Sequence, residues 1–245
     1  MYEFFDLTEH SEVQIPMYGT VHLLTVIGML LLVAVLFWKR SAVKKLANNQ
    51  RFIKRFIWVY IGIEVFFWAL QWIYRIEPLY ERFPLHLCGS LSVLMPILIL
   101  LNRDDLLRFF SYWSICAGFI SFANPGFVFE DIWSFGFIHY LLRHYFLFVV
   151  PIFLQIGREY THSYRNFLVS AGTLIGYAGL IFLLDWATGA NYMHLGQHNP
   201  LEIPFLPASF TVWPWSYPSF VAVGFILFNL SFLLFSKIGR GKQNA

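Results

Sequence analysis

Seven stretches of predominantly apolar residues, at about 20–38, 56–76, 85–101, 109–123, 135–156, 167–187 and 215–236, dominate this chain of 245 residues. A helix needs roughly 17 to 25 such residues to cross the hydrocarbon core of a bilayer, where every backbone polar group has to be satisfied within the segment. The fourth stretch is short and the third opens with polar residues, but the series predicts an all-α bundle of about seven transmembrane helices. With 58% hydrophobic, 20% aromatic and 13% charged residues, the chain lacks the polar material to cover a water-soluble domain.

The charges set an expected orientation. Lys39, Arg40, Lys44, Lys45, Arg51, Lys54 and Arg55 crowd the first connection, Arg103 and Arg108 the third, Arg158 and Arg165 the fifth, and Lys237, Arg240 and Lys242 the tail. Basic connections stay cytoplasmic, which puts the carboxyl terminus inside and the amino terminus outside. The opening "MYEFFDLTEHSEVQIP" is acidic and has no basic run ahead of an apolar one, so the first span is expected to persist rather than be cleaved. No internal repeat or low-complexity segment divides the chain, and 1–245 reads as one polytopic membrane domain. Its longest connection, 188–214, is rich in Pro, aromatic and amide residues and reads as an outer cap.

Polar side chains inside a span are expensive and turn toward the bundle interior, so their depth is informative. Glu64, Trp68, Gln71 and Arg75 recur at four, three and four residues, which places them on one face of the second span. His139 and Arg143 lie one turn apart near the outer end of the fifth span, with His144 on an adjacent flank. His22 opens the first span, His86 and Cys88 the third, and Asp185 closes the sixth. All sit in the outer half or near the middle, whereas inner halves such as "LLLVAVLF" and "LMPILILL" are apolar. A conduction path needs hydrophilic lining right through, so a transporter ranks low. A pocket open to one side suits a site at the outer leaflet.

Each residue also has a plainer reading. Cys88 could be a small buried hydrophobe, or a nucleophile if imidazole or guanidinium groups gather around it. His86 is two residues away and would face it only if "PLHLCG" is unwound. Cys116, among apolar neighbours at a different depth, reads as a packing residue, and neither cysteine is expected in a disulfide. His139 and His144 are five apart, not the four that puts two ligands on one helical face, and no metal site is expected. General-base or hydrogen-bonding roles suit these histidines better. Arg75 and Arg143 could snorkel to headgroups or hold lipid phosphate. Glu64 could be neutral or the counter-charge of an arginine. No nucleotide motif or G-x-S-x-G elbow occurs, and no cofactor is expected. The aromatic residues read as a membrane belt, not as a nucleic-acid surface.

Three patches carry a family resemblance: "PLHLCGS" (84–90), "RHYFLFVVP" (143–151), and "GANYMHL" (189–195) followed by "WPWSYP" (213–218). In this order they resemble the bacterial YwaF-type integral membrane proteins, which are similar to the animal transmembrane protein 164 family. The resemblance implies a multi-pass protein of the bacterial plasma membrane. It also implies phospholipid acyltransferase chemistry, with Cys88 at the position of the cysteine that carries the acyl group. Gly89 follows the cysteine, so the role of a carboxylate orienting the base would be absent or supplied by Glu64 or Asp185.

The expectation is thus a membrane enzyme acting on glycerophospholipid at the outer face. Cys88 would attack the ester, and His144, His139 or His86 would move the proton. Arg75, Arg143, Glu64, Gln71, Asn191 and His22 would shape the binding site. The rival is a lipid- or anion-binding subunit that recruits a partner, in which Cys88 is replaceable. Membrane phospholipid is the expected partner, and protein partners are left open.

Overall fold

Residues 111–118 are buried without a break, which a helix achieves only when neighbours surround it on every side. That central helix organises the fold. The structure, a computed structural model, describes residues 19–74, 83–123, 134–197 and 207–239. Among these are α1 (Thr20–Trp38), α2 (Arg40–Ala47), α3 (Gln50–Tyr74), α4 (Leu87–Leu100), α5 (Asp104–Ala123), α6 (Phe135–Arg158), α7 (Tyr164–Thr188) and α8 (Ser216–Gly239), with short 3-10 turns at Tyr192–His194 and Ala208–Phe210 and no strand. Arg75 and the other residues between the described segments, including Glu77, Glu81, Arg82, Glu130, Asp131 and Glu202, lie outside this description.

Five helices, α1, α3, α6, α7 and α8, are long and apolar enough to cross a membrane, and the chain is a multi-pass membrane protein. The expected third and fourth spans correspond to α4, an apolar helix of 14 residues, and to the central α5. The polar residues of α5 are satisfied by neighbouring helices. Ser114 Oγ donates to the Leu147 carbonyl at 2.6 Å, and Trp113 Nε1 donates to Ser170 at 3.1 Å. Lipid offers no hydrophobic drive to bring helices together, so close backbone approach has to do it. Gly118 supplies it between α5 and α6, where a Cβ would stand 2.9 Å from Phe148 Cβ.

The first connection is more ordered than its charge suggests. Residues 40–47 form the amphipathic α2, which buries Val43 and Ala47. α3 starts at Gln50, ahead of the expected 56, because Ile53 and Ile57 extend its buried stripe by a turn. The Asn49 side chain caps that start, accepting from the N–H groups of Arg51 and Phe52 at 3.1 and 3.2 Å. Ser134 and Ser163 cap α6 and α7 in the same way, and Gly189, at φ 75°, ends α7 in the left-handed conformation.

Candidate functional site

The start of α4, the N-terminal half of α6 and the last turns of α3 bring most of the expected residues to one end of the bundle. Glu64 and His139 are both buried. Arg143 straddles the Glu64 carboxylate, donating from Nε to Oε1 at 3.2 Å and from Nη2 to Oε2 at 2.7 Å. His139 Nε2 lies 3.2 Å from Oε1 and donates to it. Phe67, one turn below Gln71, covers the group: its ring stacks on His139 at 3.6 Å and lies 5.4 Å from the Arg143 guanidinium. The i, i+4 spacing of His139 and Arg143 on α6 lets one carboxylate engage both, as the shared face of a helix requires. Gln71 is half-buried on the same face of α3 as Glu64.

Cys88 is the second residue of α4, and His86 is its N-cap, outside the helix. Both cysteines are free thiols. The Cys88 Sγ lies 3.5 Å from Ser121 Oγ and 3.8 Å from the Ala117 carbonyl oxygen. Since Ser121 Oγ already donates to Ala117 at 3.0 Å, the thiol is the donor to the serine. The first turn of a helix favours an anion there. Among the described residues no histidine hydrogen-bonds the thiol.

The three histidines differ in which nitrogen keeps its lone pair. His144 Nδ1 faces the Tyr140 carbonyl at 2.8 Å, so Nδ1 carries the proton and Nε2 keeps the lone pair, the form a base requires. His86 Nδ1 accepts from the Met193 N–H at 3.1 Å, which uses its lone pair and leaves Nε2–H as a donor. His139 donates to Glu64 and is the orienting partner of a carboxylate. His22 stands apart: its Nε2 donates to the Phe122 carbonyl at 2.7 Å and ties α1 to α5.

The described part of the cap closes over the start of α4. Asp185 Oδ1 accepts from the Tyr192 N–H at 3.0 Å, and Asn191 Oδ1 accepts from the Gly196 N–H at 3.0 Å, so Asn191 shapes the cap turn. Met193 and His194 are both left-handed, at φ 55° and 56°, a rare conformation for two successive non-glycine residues. On the far side, Tyr177 donates to the Leu85 carbonyl at 2.7 Å and meets Ser90 Oγ at 2.8 Å, holding the unwound "PLH" turn.

Sequence reasoning missed Tyr60, Ser121 and Tyr140. Tyr60 is buried one turn before Glu64, with its ring stacked on Phe146 at 3.7 Å. Tyr140 donates to the Ser121 carbonyl at 2.7 Å, and its ring lies 4.0 Å from that of His144. The spacing of Tyr60 from Glu64 was a usable signal; nothing in the sequence pairs Ser121 with Cys88. Among the described residues no three His, Cys, Asp or Glu side chains gather as a metal would need.

In comparisons with known proteins, the model of the TMEM164 family matches residues 17–232, most of the chain. No curated protein and no solved structure matches it.

Proposed function

The chain belongs to the TMEM164 family, and on that premise we propose that it is a membrane acyltransferase that carries the acyl group of a glycerophospholipid on Cys88. The observation that supports this reading best is the position of the thiol. It sits in the first turn of α4, where the helix dipole favours an anion, with its Sγ 3.5 Å from Ser121 Oγ. The proposal includes seven crossings, with the amino terminus outside, the carboxyl terminus inside, and the site at the outer leaflet of a bacterial plasma membrane.

In the proposed reaction the thiol leaves Ser121 and passes its proton to Nε2 of His144. The thiolate attacks the ester carbonyl, a thioester forms, and the ester C–O bond breaks. The leaving lysophospholipid oxygen takes the proton from His144. An acceptor hydroxyl then attacks the thioester as His144 takes its proton, the C–S bond breaks as the new ester forms, and His144 returns the proton to the Cys88 sulfur. Glu64 neutralises Arg143 through Nε and Nη2, so this guanidinium serves the oxyanion rather than a lipid phosphate. His86, with a proton on Nε2, is a second donor to the oxyanion. Gln71 and Asn191 line the path of the headgroup.

The test is to incubate the purified protein in lipid with an alkyne-tagged phospholipid and release adducts with neutral hydroxylamine. A thioester present in wild type and Cys116→Ala but absent in Cys88→Ala supports the reading. A folded wild-type protein without adduct across a range of lipids overturns it. One observation favours a second reading, a non-catalytic lipid-binding subunit: the thiol rests on a serine and a carbonyl rather than on a base. That reading expects Cys88→Ala to function normally.

A further inference from the structure

The largest charged feature that the proposed chemistry leaves unused lies at the opposite end of α3 and α6, about 20 Å from the site at 1.5 Å of rise per residue. Seven basic side chains fall between residues 39 and 55, without an acidic one. α2 is clamped to the end of α6. A Cβ on Gly157 would stand 2.1 Å from Ala47 Cβ, so only glycine admits this contact. Asn48 Nδ2 donates to the Gly157 carbonyl at 3.1 Å, and Arg158 Nε to the Ala47 carbonyl at 3.3 Å. Glu159 then takes Lys44 at 2.7 Å and Arg40 at 3.3 Å.

That carboxylate holds α2 in place but accounts for two of the cations. Lys39, Lys45, Arg51, Lys54 and Arg55 are exposed and form no ion pair among the described residues. Exposed apolar side chains are interleaved with them. Trp38 is 77% exposed, and Leu46, Phe52 and Phe56 are exposed as well. Lys39 Nζ lies 4.2 Å from the centre of the Trp38 ring. Apolar groups that enter the acyl boundary beside cations that stay at phosphate depth fit a lipid headgroup layer, not a water-soluble acidic partner.

We infer that α2 and the first turns of α3 form a rigid docking surface for anionic glycerophospholipid headgroups of the leaflet that borders them. The surface is separate from the proposed acyl transfer and stands if that reading fails. Glu159 orients it by fixing Arg40 and Lys44, and the five unpaired cations bind.

The full-length protein in detergent is given equal amounts of phosphatidylglycerol and phosphatidylcholine, and retained lipid is counted by native mass spectrometry. The wild type should retain phosphatidylglycerol about tenfold over phosphatidylcholine at low salt and about twofold in 0.5 M salt, as charge screening requires. The variant Lys45→Gln/Arg51→Gln/Lys54→Gln/Arg55→Gln keeps Lys39, Arg40 and Lys44, and with them the Glu159 bridges. It should lose the preference while unfolding at the wild-type temperature in phosphatidylcholine. An unchanged preference in that variant overturns the inference. So does a wild type that shows no preference, retains it undiminished in 0.5 M salt, or binds an acidic protein in place of the lipid. If the variant does not fold, the wild-type salt series decides.

Discussion

Arg143 on α6 and Glu64 on α3 form a two-pronged ion pair in which both carboxylate oxygens are engaged, at 3.2 and 2.7 Å, within a largely apolar surround. Such a pair owes its persistence to mutual neutralisation, since either charge alone would be stranded.

Glu64→Leu is therefore expected to destabilise the fold by about 3–5 kcal/mol, with Arg143→Met alone close behind. The double variant Glu64→Leu/Arg143→Met should recover most of that loss. Thermal unfolding of the four proteins in one lipid mixture, read as a double-mutant cycle, checks this. Additive losses would show that the two residues act independently.

In the proposed reaction the tautomers give the histidines different roles. His144→Gln removes the imidazole that would take the proton, and the rate of acyl-adduct formation should fall by about 10²-fold or more. His86→Asn keeps an acceptor for the Met193 N–H and should lose about tenfold or less, the share of one oxyanion donor at the weak end of the range. Adduct formation timed with the tagged phospholipid distinguishes them, and equal losses would remove the distinction drawn between the two rings.

Gly157 admits no side chain against Ala47. Gly157→Val should cost about 1–3 kcal/mol and free α2 from α6, because overpacking moves backbone where no flexible neighbour can yield. Faster proteolysis within residues 40–49, with Cys88 adduct formation retained, is the expected pattern. An equally stable variant would mean that the α2 contact is dispensable.

His162 joins α6 and α7 outside the spans. Its Nε2 donates to Gln155 Oε1 and its Nδ1 accepts from the Tyr112 hydroxyl, both at 2.7 Å. Burial, followed by the charge of Arg108, holds its pKa down at about 4 from the ordinary 6.5. Between those values the unfolded chain binds a proton that the folded chain refuses. Stability is therefore full above about pH 6.5 and falls toward pH 4, by as much as 2–3 kcal/mol or so. Thermal unfolding across this range should slope downward with acid in the wild type and flatten in His162→Gln. Parallel curves would rule the ring out.

The sequence carried the helices well and the site unevenly. Apolar runs located the five helices long and apolar enough to cross a membrane, because lipid imposes length and composition directly. The 64-68-71 face of α3 was visible as a period, and the i, i+4 pairing of His139 and Arg143 followed from their spacing. Partners across helices were not visible. That Arg143 belongs to Glu64, that His86 is taken by the Met193 backbone, and that Cys88 rests on Ser121 are facts of packing between segments 33 to 107 residues apart. The helical character of residues 40–55 was masked by their charge, since α2 buries a narrow stripe of Val43 and Ala47.

Tyr177 holds the Leu85 carbonyl from 92 residues further along the chain. During synthesis α4 therefore leaves the ribosome with Cys88 in place and its opening turn unsupported, until α7 arrives. A nascent chain ending before residue 177 contains the thiol and its Ser121 contact but not the hydroxyl that holds the turn before α4. Competence of the site should thus appear late in biogenesis, as a step set by the arrival of α7 rather than by insertion of the helix that bears the cysteine.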